Sequence, residues 1–427
     1  MHHALSMALV DRLILQQREM QSKIKHPYIQ RSIPDIENTG GLITVITGPR
    51  RAGKSTTALC QIIEGIPAAY INFDDEELAS VQDFLAIESA LRQVYGNYEI
   101  LVLDEIQNLP RWELIVNRLH RQGVRLVITG SNAHLLSSEL ATHLTGRYIP
   151  VWILPFSFDE FLAARTDVQL ISSEYPEFLH QYIETGGYPE VVLGKADNDT
   201  YLNTLIQAVL FKDIVRRYHI RSPQAIEDLS LCLISNPAVE YSYANLGELT
   251  RTSTNTVKKY LQYLHQSFLF FSIPRFSWKV REQISSSKKI YLTDTGCFSA
   301  RSVRHSLHIG RMYENLTAIY LYRQELYGSC RLSYWKSQQG EEVDFVIQSG
   351  TEIKSLIQVS FDISQPKTLK REIRALIKAS KELKCDNLIL VTESEERMIE
   401  ADWYGKKGTI RVVPLYKFLL GMVEGIF

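Results

Sequence analysis

The sequence of 427 residues predicts an α/β protein whose leading part is a doubly wound parallel sheet. Between residues 41 and 150, apolar runs of strand length alternate with helical segments, and short polar motifs follow several of these runs. Ligands of such sheets bind at the carboxyl ends of the strands. The chain is too long for one hydrophobic core, so further domains must follow.

The first apolar run, Leu42–Ile46, leads directly into a glycine-bounded turn. Residues 48–56 fit the pattern GxxxxGK followed by Ser or Thr, in which backbone N–H groups and a helix N-terminus surround a phosphate. We predict that Lys54 reaches the β- and γ-phosphates of ATP. The predicted phosphate contacts are Gly48, Pro49, Arg50, Arg51, Ala52, Gly53, Lys54, Ser55 and Thr56.

A second apolar run, Ile100–Leu103, ends in an acidic pair where a Walker B element belongs. We predict that Asp104 and Ser55 hold Mg²⁺, and that Glu105 polarises the attacking water. The local alternative is that Lys54 caps a turn and the acidic pair only begins a loop.

Two further catalytic candidates follow later strands. Asn132 comes after the run Val124–Thr129, where it either lies between the γ-phosphate and the attacking water or caps a helix over 133–140. Arg147 precedes a strand over 148–154. It is either inserted into the site of a neighbouring subunit or solvated and paired locally.

The composition gives no indication of a highly charged nucleic-acid-binding protein, a disulfide-rich protein or a membrane protein. With 47 basic and 48 acidic side chains, the net charge gives no information about nucleic acid, so such a surface must come from local clustering. Five scattered cysteines without CxxC spacing fit a reducing compartment. No apolar run approaches the length needed to span a bilayer, so we expect a cytoplasmic protein without membrane contact.

Changes in residue pattern and in predicted secondary structure divide the chain into five expected parts. They are a helical lead-in over 1–40, the P-loop ATPase domain over 41–154, a helical lid over 155–222, a winged helix over 223–287, and a PD-(D/E)xK-like domain over 288–427.

The expected winged helix has helices over 223–234, 243–249 and 254–265, with helix-turn-helix spacing between the last two. From Arg251 to Lys289 there are eight Lys and Arg residues against one acid, which favours DNA phosphates as ligands. The alternative is a protein contact. The DNA-binding candidates are Asn255, Lys258, Lys259 and Arg275.

In the last part, Glu314, Asp344 and Gln358 follow the order helix acid, strand-end acid, next-strand residue of PD-(D/E)xK nucleases. Ser360 stands where their lysine belongs. Glu352-Ile-Lys354 also spells ExK, but it is close enough to Asp344 to begin at a hairpin. We interpret this part as a degenerate nuclease fold used for binding or assembly, with an active nuclease as the alternative.

Together these motifs resemble a family of bacterial and archaeal AAA+-like ATPases that carry a winged helix and a PD-(D/E)xK-like C-terminal domain. The matching stretches are 48–56, 70–74, 103–107, 129–132, 144–147, 156–161, 186–189, 289–294 and 342–345. The resemblance implies ATP binding and hydrolysis to ADP with Mg²⁺ in a homo-oligomer, such as a hexameric ring. Gln358-Val-Ser360 departs from the Glu-x-Lys of the family pattern.

The functional prediction is therefore an oligomeric Mg²⁺-dependent ATPase that binds or remodels DNA. A second hypothesis is a nucleotide-controlled switch that binds a protein partner through the winged helix. A third is an ATP-regulated, metal-dependent nuclease.

Overall fold

A computed structural model of the chain describes residues 2–25, 27–33, 41–62, 65–81, 83–132, 146–166, 168–301, 309–403 and 405–427. The chain divides into two compact units, which are described separately. Unit 1 is residues 1–154 with 266–268, and unit 2 is residues 155–265 with 269–427. No helix in the described ranges combines the length and hydropathy that crossing a bilayer requires.

Unit 1 contains a five-stranded, wholly parallel sheet, which confirms the predicted α/β fold. Its strands are β1 (Ile43–Thr47), β2 (Ala68–Asn72), β3 (Ile100–Asp104), β4 (Arg125–Gly130) and β5 (Tyr148–Trp152). They are arranged in the order β2-β3-β4-β1-β5. The carboxyl end of β4 therefore lies between those of β3 and β1, as required for residues after β4 to join the site.

Helices cover both faces of this sheet. They are α1 (His2–Lys25), α2 (Lys54–Thr57), α3 (Glu76–Ala79), α4 (Phe84–Tyr95) and α5 (Trp112–Arg121), and α2 continues as a π-helical turn over Ala58–Ile62. Val45 and Ile46 enter separate cores on opposite faces, so β1 is buried along its whole length. The amide of Gln16 in α1 exchanges two hydrogen bonds with the backbone of Asn72, so α1 is fixed beside the edge strand β2.

Unit 2 begins with helices and continues with a helix pair that precedes a small sheet. The helices are α6 (Phe158–Arg165), α7 (Tyr175–Thr185), α8 (Pro189–Val192), α9 (Asn198–Ala208), α10 (Pro223–Ser235), α11 (Tyr243–Thr250) and α12 (Thr254–Gln266), with π-helical turns over Val209–Arg216 after α9. The sheet is antiparallel, in the order β6-β8-β7, from Val239–Tyr241, Lys288–Leu292 and Phe270–Pro274. Helix α13 (Val280–Ser285) lies between β7 and β8 in the chain.

The rest of unit 2 is built on a six-stranded mixed sheet in the order β13-β14-β12-β11-β10-β9. Its elements are α14 (Gly296–Arg301), α15 (Ile309–Leu326), β9 (Arg331–Lys336), β10 (Glu342–Ser349), β11 (Glu352–Val359), α16 (Pro366–Leu383), β12 (Leu388–Thr392), β13 (Arg397–Trp403), β14 (Lys406–Pro414) and α17 (Leu415–Leu419). Glu352 pairs with Ser349 in the β10–β11 hairpin, which confirms the expected hairpin there. Strands β13 and β14 were not predicted; β13 is an edge strand in which no residue is buried.

Two glycine-containing segments, residues 186–189 and 294–296, contact each other inside unit 2. The buried carboxylate of Asp294 accepts hydrogen bonds from the N–H groups of Gly187 (2.7 Å) and Gly296 (3.0 Å). Burial raises the pKa of Asp294 to about 6, against these donors. A Cβ at Gly186 would lie 2.0 Å from Asp294 Oδ1, so the carboxylate requires glycine beside it. Both motifs thus serve chain packing here.

Candidate functional site

The loop after β1 has a backbone that only particular residues can adopt. A Cβ at Gly48 would lie 1.9 Å from the carbonyl oxygen of Ile153, so no side chain fits there. Arg51 and Gly53 have φ angles of +66° and +97°, in the left-handed region. The loop therefore turns tightly between β1 and α2, which directs backbone N–H groups and a helix N-terminus to one place.

Lys54 and Glu105 meet at this loop. The buried ammonium of Lys54 donates to the carbonyl of Pro49 at 2.9 Å and lies 3.5 Å from Glu105 Oε1. Burial tends to raise the pKa of Glu105, but Lys54 and a hydrogen bond from Gln107 outweigh burial and hold this pKa below its usual value. Glu105 is therefore an anion, as a proton acceptor must be.

Asp104 is buried and held by hydroxyl groups from two neighbouring strands. Tyr70 in β2 donates to Oδ2 at 2.6 Å, and Thr129 in β4 donates to Oδ1. Burial and the adjacent Glu105 raise the pKa of Asp104, whereas the hydrogen bonds from Thr129, Tyr70 and Ser55 oppose this shift. These donors orient the carboxylate toward the start of α2.

The residues expected to hold Mg²⁺ fit that ion. Ser55 hydrogen-bonds to Asp104, so a hydroxyl and a carboxylate oxygen lie together beside the loop. Mg²⁺ prefers oxygen ligands and is commonly held by one or two protein groups together with phosphate and water. Ser55 and Asp104 match that pattern.

The Tyr70 hydroxyl should tune metal affinity through Asp104. Tyr70→Phe keeps the ring in the core but removes one donor to the carboxylate, so we expect the Mg²⁺ concentration for half-maximal ATP hydrolysis to rise roughly 10-fold. Tyr98→Phe is the control, because Tyr98 precedes β3 at the strand end opposite Asp104. Equal Mg²⁺ titrations for Tyr70→Phe and wild type would contradict this role.

Asn132 lies at the same edge of the sheet. It is buried two residues after β4, and β4 pairs in parallel with β3, which ends at Asp104. The nearby Ser131 hydrogen-bonds to Glu105. The alternative role of Asn132, capping a helix over 133–140, falls on residues outside those described.

Arg147 is not part of the site in its own chain. Its backbone carbonyl accepts from the N–H of Ile43, at the amino end of β1, and its side chain is exposed. The phosphate loop follows the other end of β1, five residues or roughly 16 Å away. Because β1 and β5 are parallel, Arg147 lies away from the phosphate loop of its own chain, and its insertion into the site of a neighbouring subunit stays a prediction.

The helix pair in unit 2 presents part of the expected basic surface. Asn255, Lys258, Lys259 and Gln262 are exposed on α12, and Lys258 Nζ lies 5.1 Å from the ring centre of Tyr243.

Two basic residues of the same stretch are engaged by other parts of unit 2. The half-buried guanidinium of Arg275 donates to the carbonyl of Lys336 at 2.5 Å and so joins the end of β7 to β9. Lys289 is only 3% exposed. The count of eight basic residues therefore overstates the exposed positive charge, and a DNA contact by Arg275 stays a prediction.

The three expected nuclease-like residues do come together, around Lys289. The ammonium lies 2.9 Å from Glu314 Oε1, 2.9 Å from Asp344 Oδ1 and 2.6 Å from Glu342 Oε1. The side-chain oxygen of Gln358 accepts from the N–H of Asp344 at 3.2 Å. We call Lys289, Glu314, Glu342 and Asp344 the lysine–carboxylate cluster.

The sequence did not identify Tyr70, Thr129, Gln107, Glu342 or Lys289 as site residues. For Tyr70 and Thr129, the sequence offered one indication of a role in the site, namely a polar side chain within or just after an apolar run. Lys289 carries no such signal, because it stands among other basic residues that are far more exposed.

Comparisons with known proteins agree with this arrangement. Residues 41–162 match the family model of an AAA domain, and residues 176–306 and 309–418 match two domains of unknown function, DUF8612 and DUF4143. A C. elegans PCH-2 structure is similar at 17% identity over 60% of this chain and 68% of that chain, with a TM-score of 0.23, which supports no further comparison.

Two relatives cover most of the chain. An uncharacterized protein of Haemophilus influenzae is 29% identical over 76% of this chain and 83% of its own length. The uncharacterized protein MJ1544 of Methanocaldococcus jannaschii is 33% identical over 96% of this chain and 95% of its own. With a P-loop unit that matches an AAA domain and this identity over nearly both full lengths, the chain belongs to the family of MJ1544.

Proposed function

We propose that the protein binds ATP and hydrolyses it to ADP and phosphate with Mg²⁺. The observation that carries this proposal is the meeting of Lys54 and Glu105 at 3.5 Å, with Asp104 bound to Ser55 beside them. A turn that surrounds phosphate, a metal-binding pair and an anionic carboxylate are the groups that in-line attack on a γ-phosphate requires.

Each residue has a distinct task in this mechanism. The loop N–H groups and Lys54 would hold the β- and γ-phosphates, and Ser55 and Asp104 would hold Mg²⁺. When bound, this ion would supply positive charge that stabilises the negative charge on the phosphoryl oxygens. Glu105 accepts the proton of the attacking water, and Asn132 orients that water against the γ-phosphate.

The arginine of this mechanism comes, in our proposal, from another subunit. Arg147 is exposed and lies at the sheet edge opposite its own loop, which suits insertion into a neighbour's site. We propose a homo-oligomeric ring, of which a hexamer is one form, as the assembly in which this insertion would occur. Hydrolysis assays of the full chain with ATP, in Mg²⁺ and in EDTA, test the activity, and the Glu105 variant in the Discussion tests its origin.

We further propose that residues 155–222 act as a lid, 223–287 as a winged helix and 288–427 as a degenerate nuclease-like domain. The helix pair with a three-stranded antiparallel sheet supports the second assignment. Exposed Lys258 and Lys259 on α12 favour DNA phosphates as ligands. ATP hydrolysis would then drive DNA binding or remodelling.

A protein partner is the second candidate, and a specific surface favours it. Trp278, Val280 and Ile284, before and within α13, are 62%, 67% and 73% exposed. Clustered exposed apolar side chains are typical of protein contacts.

The α12 lysines separate these two candidates. Lys258→Glu/Lys259→Glu should weaken binding to duplex or single-stranded DNA at least 10-fold and reduce the slope of log affinity against log salt by about 2, because two phosphate contacts are lost. Lys381→Glu/Lys407→Glu makes the same charge change at other exposed lysines and is the control. Unchanged DNA affinity in the α12 variant would favour the protein partner.

A further inference from the structure

The lysine–carboxylate cluster contains Glu314 and Asp344, which the sequence pattern matched to metal-binding acids of PD-(D/E)xK nucleases, and a cation of the chain fills its centre. Lys289 comes from β8 of the three-stranded sheet, whereas its partners come from α15 and β10. An ammonium has three donors, and here each one meets a different carboxylate.

The carboxylate oxygens also have other donors. Asp344 Oδ2 accepts from the N–H of Val359 at 3.0 Å, and Glu314 Oε1 accepts from the hydroxyl of Tyr291 at 2.8 Å. Glu342 Oε2 lies 3.5 Å from Lys336, which in turn pairs with Glu240 of β6 at 2.5 Å. The cluster is thus satisfied by protein groups and links the small sheet to the large one.

A divalent ion does not fit this arrangement. Mg²⁺ binds oxygens at about 2.1 Å and would need the place that the ammonium holds. Throughout the residues that the structure describes, no set of three or more His, Cys, Asp or Glu side chains is arranged to hold a metal ion. In a nuclease, the lysine that assists the chemistry must lie beside the metal ion. Lys289 instead contacts Glu314, Glu342 and Asp344 directly.

Solvent nevertheless reaches two carboxylates of the cluster. A cavity of about 570 Å³ is lined by Glu342, Asp344 and Gln358 together with basic residues of α16. A path for ions in solution is therefore open on this side, although the basic residues of α16 also act against a cation there.

We propose that Lys289 is a built-in cation that replaces the divalent metal of a nuclease centre, so that unit 2 holds its two sheets together without metal and does not cut DNA. This inference goes beyond ATP hydrolysis and does not depend on it. Its consequence is that removing the ammonium should turn the cluster into a site for Mn²⁺.

The test uses the full chain without nucleotide, with Asp104→Asn present in every variant to remove metal binding near the phosphate loop. Mn²⁺ binding is measured by the electron paramagnetic resonance signal of the free ion. With Lys289 intact we expect no binding that depends on Asp344. Lys289→Ala should bind one Mn²⁺, and Lys289→Ala/Asp344→Asn should lose it.

Thermal unfolding provides a second readout. Without metal, Lys289→Ala should lower the unfolding midpoint by about 5–10 °C, because buried Asp344 and the partly buried Glu314 and Glu342 lose their counter-charge, and Mn²⁺ should restore most of this loss. Lys336→Ala is the matched control, a lysine of the same network whose removal should create no Mn²⁺ site. Lys289→Met retains the aliphatic volume and replaces Lys289→Ala if that variant does not fold.

Three results would overturn the proposal. The first is Asp344-dependent Mn²⁺ binding while Lys289 is intact, and the second is Mn²⁺-dependent DNA cleavage that Asp344→Asn abolishes. The third is a folded Lys289 variant that binds no Mn²⁺. None of these depends on ATP turnover, so the ATPase proposal stands or falls separately.

Discussion

Glu105→Gln is expected to lower kcat for ATP hydrolysis at least 100-fold while the Kd for ATP changes by less than about 3-fold. The amide keeps the size of the side chain and its contact with Gln107, but it cannot accept a proton from water. Because Glu105 is held as an anion beside Lys54, the change also removes a negative charge near the phosphates. ATP binding should therefore be kept or strengthened.

Phosphate release and binding of a fluorescent ATP analogue measure the two quantities separately. Glu99→Gln is the matched control, since Glu99 is an exposed glutamate just before β3 and at its opposite end. Hydrolysis by Glu105→Gln within 3-fold of the wild-type rate would rule Glu105 out as the base. A loss of ATP binding as large as the loss of rate would instead mean that Glu105 shapes the loop.

The nucleotide site was largely predictable because its parts are short motifs at the ends of apolar runs. Gly48, Lys54 and Ser55 lie within one short turn of the chain, so the sequence itself brings them together. Asp104 and Glu105 follow a strand, and parallel strands end at one edge of the sheet. The hydroxyls of Tyr70 and Thr129 were harder to predict, since strand order decides which of them reach Asp104.

The features that the sequence could not predict depend on contacts between residues distant in sequence. The position of Arg147 before a strand did not show which site it serves, and strand direction places it away from the loop of its own chain. Arg275 and Lys289 looked like surface charge, and both are used inside unit 2. No local pattern distinguishes a buried lysine that meets carboxylates 25 and 55 residues away from its solvated neighbours.

The absence of the motif lysine at Ser360 also shows that contacts between distant residues cannot be predicted from the sequence pattern alone. Ser360 departs from the nuclease pattern in the sequence, whereas Glu314 and Asp344 meet at Lys289 and Gln358 contacts Asp344. What the pattern lacks at Ser360 is a positive charge, and in our proposal Lys289 of β8 provides one. A sequence motif shows which residue types are present and at which spacing. The charge balance of a cluster in the folded chain depends on residues from every element that surrounds it.

Gly187→Ala is expected to lower the free energy of unfolding by on the order of 3 kcal/mol, which corresponds to about 6–10 °C in the midpoint. A Cβ at Gly187 would lie 2.2 Å from the carbonyl oxygen of Phe156, and backbone atoms cannot move aside cheaply. That carbonyl also accepts from the hydroxyl of Tyr182, and the N–H of Phe156 donates to Gly187. Moving the two segments apart would therefore break several hydrogen bonds, including the one to Asp294.

Differential scanning calorimetry of the full chain measures this effect, with Gly310→Ala as the control. Gly310 lies in α15, where an added Cβ would find only the Cβ of Phe361 at 3.9 Å, so alanine should be neutral or stabilising by up to about 1 kcal/mol. A Gly187→Ala protein with an unchanged midpoint but reduced ATP turnover would mean that this glycine motif acts in catalysis. A lower midpoint with the ATPase rate retained below it would identify the motif as packing around Asp294, because the clash acts on the fold of unit 2 and not on the phosphate loop.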